Sequence, residues 1–109
     1  MKLPDIIQKS AEEDASYLLS YVNNSGELDA ELFNLNISIE DEESDLRYDV
    51  LVIATIHYGI VHRNELKFQW EYYVEDNCVK FWSHTDINIL ANELKHQIEQ
   101  RRCNIHDYF

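Results

Sequence analysis

The sequence predicts an α+β fold in two layers. Three observations lead there: an apolar stripe at the helical period near each end, strict alternation in two central segments, and a β-branched run between them. The predicted order is an N-terminal helix, a four-stranded antiparallel meander and a C-terminal helix, with both helices on one sheet face. The chain has 109 residues and is 45% hydrophobic, with seven Tyr, four Phe and two Trp. One acidic domain over residues 1–109 is expected, since a chain of this size buries roughly two-thirds of its unfolded surface.

Residues 4 to 23 read as the first helix, with Ile7, Ala11, Ala15, Leu18, Leu19 and Val22 in one stripe. Ser10-Ala11-Glu12-Glu13 has capping-box spacing. It places the start of the regular helix near Ala11, after an initial turn at Pro4, and puts Glu12, Glu13 and Asp14 where the helix dipole favours anions. Asn23-Asn24-Ser25-Gly26 ends the helix. Phe33, Leu35, Ile37 and Ile39 then alternate with Asn34, Asn36, Ser38 and Glu40, the pattern of a half-buried strand. An acidic connection, Glu40 to Asp45, follows.

From Tyr48 to Val61 seven residues are Val, Ile or Thr. A helix would gather Val50, Ala54, Tyr58 and Val61, but β-branched side chains on both parities favour a mid-sheet strand. Its even residues, Val50 to Tyr58, are expected to face the helices, leaving Leu51, Ile53, Thr55, His57 and Val61 outward. Arg63-Asn64 turns the chain, and Leu66, Phe68, Trp70, Tyr72 and Val74 alternate with polar neighbours and Tyr73. Asp76-Asn77 is a hairpin turn and Cys78 to Trp82 the return strand. Thr85 is the candidate N-cap of a last helix with Ile87, Leu90, Ala91, Leu94 and Ile98 on one face. Asn104 to Phe109 is left as a tail. Phe33, Leu35, Ile37, Leu66, Phe68, Trp70 and Tyr72 should lie beneath Ile7, Leu18, Leu19, Leu90, Leu94 and Ile98.

Composition excludes several kinds of chemistry. With two glycines, no phosphate-cradling loop is present. Glu93 and His96 have ExxH spacing on one helix, but a di-iron site needs two such motifs and further carboxylates. Cys103 and His106 form half of a zinc spacing. Cys78 and Cys103 are expected to be reduced thiols, one of them buried. His57 beside Thr55 lacks the third group that a nucleophilic site requires. The expectations are therefore no metal, no cofactor and no enzymatic activity. The longest apolar run, Val50 to Ala54, is too short to span a bilayer. Met1 to Asp5 leads into no apolar segment, so a cytoplasmic location is expected.

Charge is the more informative signal. The net charge is −12, and residues 1–45 hold twelve acids and two bases, so that segment carries −10 of it. Solubility alone needs only about −2 to −8 on a small domain. Such a field repels nucleic acid and attracts a basic protein, so no direct nucleic-acid contact and no membrane contact are expected. The candidate partner surface is Glu12, Glu13, Asp14, Glu40, Asp41, Glu42, Glu43, Asp45 and Asp49, with Tyr48 as aromatic anchor. For their fields to add, the helical and connecting clusters must lie on one side. A second candidate contact is the outer sheet face around Leu51, Ile53, Tyr73 and Trp82, which the C-terminal tail would alternatively cover.

In size and charge the chain resembles bacterial toxin-immunity proteins, and also phage or mobile-element inhibitors that mimic nucleic acid. It carries no family motif, and no residue role follows from the likeness. The resemblance implies a stoichiometric inhibitor of a nucleic-acid-processing partner, immunity type first and restriction- or CRISPR-blocking mimic second. A small acidic chaperone or adaptor is the third class. The chain is expected to act as a monomer or homodimer.

Overall fold

A computed structural model describes residues 2–24, 29–42, 47–59, 62–82 and 85–106, with backbone only for 41–42 and 102–106. The elements are α1 (Leu3–Asn24), β1 (Glu31–Glu42), β2 (Arg47–Tyr58), β3 (Asn64–Glu75), β4 (Cys78–Phe81) and α2 (Ile87–His106). The sheet is antiparallel throughout, in the order β1-β2-β3-β4. The α+β reading holds.

α1 is continuous from Leu3, so Ser10 sits inside it and does not cap it. Pro4 suits the first turn, where its missing N–H is no loss, and Lys2 O accepts from Asp5 N and Ile6 N. The dipole argument therefore applies to Asp5 and not to Glu12, Glu13 and Asp14. At its other end the Asn23 side-chain amide clasps Ala30, donating to Ala30 O at 3.0 Å and accepting from Ala30 N at 2.9 Å. That clasp fixes the entry into β1.

Ile7, Ala11, Ala15, Leu18 and Val22 are buried with Leu90, Ala91, Leu94 and Ile98 of α2. Beneath them lie Val50, Val52, Ala54, Ile56 and Tyr58 of β2 and Leu66, Phe68, Trp70, Tyr72 and Val74 of β3. Both helices thus cover one sheet face. Tyr17 donates to Asn88 at 3.2 Å and Tyr21 to Asn92 at 2.7 Å. The equal offset shows that the helices run parallel.

Several local expectations are corrected. Phe33 is 68% exposed, because the β1–β2 register shifts between Leu32 and Asn34. A bulge there turns Phe33 outward, onto the His57 ring at 4.5 Å, while Leu32, Leu35 and Ile37 keep the inner face half-buried. β1 continues through Glu42, so half of the acidic connection is strand; 43–46 lie outside the described residues. β2 stops at Tyr58, where Gly59 takes φ +116° and a Cβ would stand 2.2 Å from His62 O. Asp86, not Thr85, caps α2, its carboxylate accepting from Ile89 N at 2.9 Å. α2 runs to His106, so only 107–109 remain of the expected tail, outside the described residues. Cys78 is exposed. The hairpin turn at Asp76-Asn77 is as expected: φ is 53° and 61°, the paired positive values of a type I′ turn.

Candidate functional site

Strand parity divides the acidic residues. Glu40 pairs with Asp49, which pairs with Tyr73, and Tyr73 pairs with Lys80. Opposed residues share a face, and this row lies on the face away from the helices. The next row on that face holds Ser38, Leu51 and Glu71. Trp82 closes the row at its far end, its backbone N–H donating to Glu71 O at 3.4 Å. Glu40, Asp49, Leu51, Glu71 and Trp82 line a cleft of about 180 Å³, with Val50 at its edge. Small-molecule sites typically span roughly 300–1,000 Å³. The cleft is sized for one side chain.

Beside the cleft, the Arg47 guanidinium lies 4.7 Å from the Tyr73 ring centroid and 4.9 Å from that of Trp82. The two rings meet edge to face at 6.1 Å. Arg47 reaches toward Asp49 at 3.9 Å, too far for a hydrogen bond. Arg47 Nε and Asp49 Oδ1 are both shielded from solvent and have no hydrogen-bond partner. Glu40 and Glu71 are exposed, and no described cation lies within ion-pair distance of either. At the opposite end of the sheet the acids are compensated: Arg63 reaches Glu31 at 3.0 Å, Asp29 Oδ2 at 3.7 Å and Asp29 O at 2.8 Å.

The helical acids occupy the other side. Glu12 and Glu13 are exposed on α1. Asp14 is half-buried and accepts a short hydrogen bond from the buried Tyr72 hydroxyl, which also approaches Ser10 O at 3.4 Å. Burial raises the Asp14 carboxyl above its ordinary range; the Tyr72 bond opposes the rise and Glu13 adds to it. Burial and the same bond push the Tyr72 phenol far upward. Tyr72 pairs with Val50 and Val50 with Ile39. The helical acids and Glu40 thus share one end of the sheet but lie on opposite sides of it.

Tyr48, expected beside Asp49 as an anchor, packs on the helix side against the core. Adjacent residues of a strand face opposite ways, so Tyr48 and Asp49 cannot serve one surface. The backbones of Asp41 and Glu42 pair with Tyr48 and Arg47. The positions of Glu43 and Asp45 lie outside the described residues. The structure therefore unites part of each candidate set: Glu40 and Asp49 from the acidic one, Leu51, Tyr73 and Trp82 from the apolar one, with Ile53 half-buried in the next row. Arg47 and Glu71 were not singled out by sequence. The signal was present, since Arg47 shares parity with Asp49 and Leu51, and Glu71 with Tyr73.

Among the described residues no group of three metal-ligating side chains occurs. Glu93 and His96 are exposed on α2, and the side chains of Cys103 and His106 lie outside the described residues. No described helix is long and apolar enough to cross a membrane. No family model, curated protein or solved structure matches the chain.

Proposed function

We propose that the chain is an acidic protein inhibitor that binds and neutralises a nucleic-acid-processing protein, of the toxin-immunity kind, through the sheet face away from the helices. One observation carries the reading: three carboxylates, two of them without a described cation, surround a Leu51–Trp82 cleft sized for a single side chain. A basic side chain of the partner entering there meets Glu40 and Glu71 at the rim. Between them Asp49 lines the cleft, its carboxylate turned toward Arg47 at 3.9 Å. Arg47 on Tyr73 and Trp82 is the chain's own example of a guanidinium held against these rings.

Desolvated aromatic contact sets the dissociation rate, while the net charge of −12 raises the encounter rate. This arrangement supports the immunity reading over a nucleic-acid mimic. A mimic presents carboxylates at phosphate spacing over a long track, whereas here they gather around one apolar floor.

The test is co-expression with the products of the neighbouring genes and identification of what co-purifies. The reading expects a basic nuclease or nucleic-acid-binding protein whose activity falls to background at one equivalent of this chain. A partner that retains full activity in the complex, or one without nucleic-acid activity, contradicts it.

A further inference from the structure

The two edges of the sheet are finished differently. β4 is a four-residue edge carrying Lys80, and Arg101 of α2 donates to Glu65 O of β3 at 3.1 Å beyond the end of β4. Short edges, lysines and covering elements are the usual guards against strand addition. β1 has twelve residues and forms the other edge, with β2 as its only strand neighbour among the described residues. From Leu32 to Ile39 it reads Leu-Phe-Asn-Leu-Asn-Ile-Ser-Ile, eight residues with no charge and no proline, in a chain that is 28% charged. Helix cover is also thin there: Leu35 and Ile37 are half-buried and Ile39 is 41% exposed. Its bulge, a further guard, lies near the start and leaves Asn34 to Glu42 in regular register with β2.

We infer that β1 pairs antiparallel with β1 of a second copy, joining two four-stranded sheets into one of eight strands. Charge selects the occupant. A basic partner is drawn to the unpaired carboxylates, and an uncharged strand offers it no electrostatic gain. A second copy, which carries −12 itself, meets least repulsion along the uncharged run from Leu32 to Ile39.

Register supports the same occupant. Residues directly opposed across the new ladder must share a face, which allows self-pairing centred on a single residue only. Centred on Ile37, the inner row places Leu35 against Ile39 of the partner copy and Ile37 against its own equivalent. The outer row places Asn36 against Ser38, and Asn34 against Glu40. No two acids are directly opposed between Asn34 and Glu40, where like charges would destabilise the pair. The bulge at Phe33 falls outside this span. Because faces are preserved, both helix layers lie on one side of the joined sheet and both clefts on the other.

Salt separates this inference from the proposed function. Screening weakens attraction to a basic partner but relieves repulsion between two acidic copies. Sedimentation velocity of the full chain over a concentration series, at low and high salt, reads the association. Hydrogen exchange of β1 amides over the same series locates it. The expectation is a dimer that tightens with salt, with concentration-dependent protection in β1 and none in β4. Ile39→Lys, which sets a charge against Leu35 of the partner copy at a position the monomer leaves exposed, should weaken the dimer by about tenfold or more. A chain that stays monomeric at high salt and high concentration overturns the inference. So does a dimer whose added protection lies outside β1.

Discussion

On the helix-covered face of the sheet, β2 contributes Val50, Val52, Ala54, Ile56 and Tyr58, each at most 2% exposed. On the other face the same strand contributes Arg47, Asp49, Leu51, Ile53, Thr55 and His57, all buried or half-buried although no described helix lies over them. β3 differs: inside, Leu66 to Val74 are buried, while outside Glu65, Lys67, Gln69, Glu71 and Glu75 are exposed and only Tyr73 is half-buried. The two-layer fold accounts for the inner face of both strands and for the outer face of β3. It does not require Leu51, Ile53 or a half-buried Arg47–Asp49 pair on the outside of β2. Those residues flank the cleft, and the comparison assigns stability to one face and recognition to the other.

Core truncation should produce the largest effect. Phe68→Ala is expected to cost about 3–5 kcal/mol of unfolding free energy, whereas Leu51→Ala should stay within about 1 kcal/mol. Chemical denaturation of both variants checks this. Comparable losses would mean that the outer face is as structural as the inner one.

Next in size is Trp82→Ala. It removes the cleft wall and one of the two rings beneath Arg47. Loss of a desolvated anchor of this kind costs about 2 kcal/mol or more of binding, roughly thirtyfold, mainly as faster dissociation. Surface plasmon resonance against the co-purified partner measures it. Reversing Glu40 and Glu71 to Lys should instead slow association several-fold, and reversing Glu12 and Glu13 should slow it less. Equal effects at the two pairs would show that the field acts as a whole and that the face distinction is immaterial to encounter.

These distinctions were only partly legible in the sequence. The element order and the inner face follow from alternation at Leu66–Val74 and from the helical stripes, because burial of one face leaves a periodic record. The bulge at Phe33 left no such record: an extra residue in one strand is set by pairing with Ile56 and Thr55, which lie far off in the chain. The acidic run looked like one patch because its residues are contiguous. Once β1 extends through Glu42, however, neighbouring acids alternate between faces. Tyr48 fails as Asp49's companion for the same reason. The pairing of Glu40 with Asp49 and of Leu51 with Glu71 depends on register, which the hydrophobic pattern constrains but acidic residues do not.

A smaller effect concerns pH. Because the Asp14 carboxyl is raised in the folded state, that state binds its proton more readily than the unfolded chain does. Asp14 thus contributes stability that is fully present below its unfolded value and lost as pH rises through its folded value. Asp14→Asn, which keeps an acceptor for Tyr72 and removes the charge, should flatten the stability profile over that window and leave partner binding unchanged. Thermal melts from acid to neutral pH check the first expectation. A variant whose profile steepens would contradict the assignment.

The division of labour between the faces is tested most directly by titrating the isotopically labelled full chain with an arginine-rich peptide and following backbone amides and the Trp82 indole by NMR. The peptide stands in for the basic side chain of the partner. The account predicts that the largest shifts fall on Glu40, Asp49, Leu51, Glu71 and Trp82 and saturate together, with Glu12 and Glu13 moving little. Shifts led by Glu12 and Glu13, or spread evenly over every exposed acid, would contradict it.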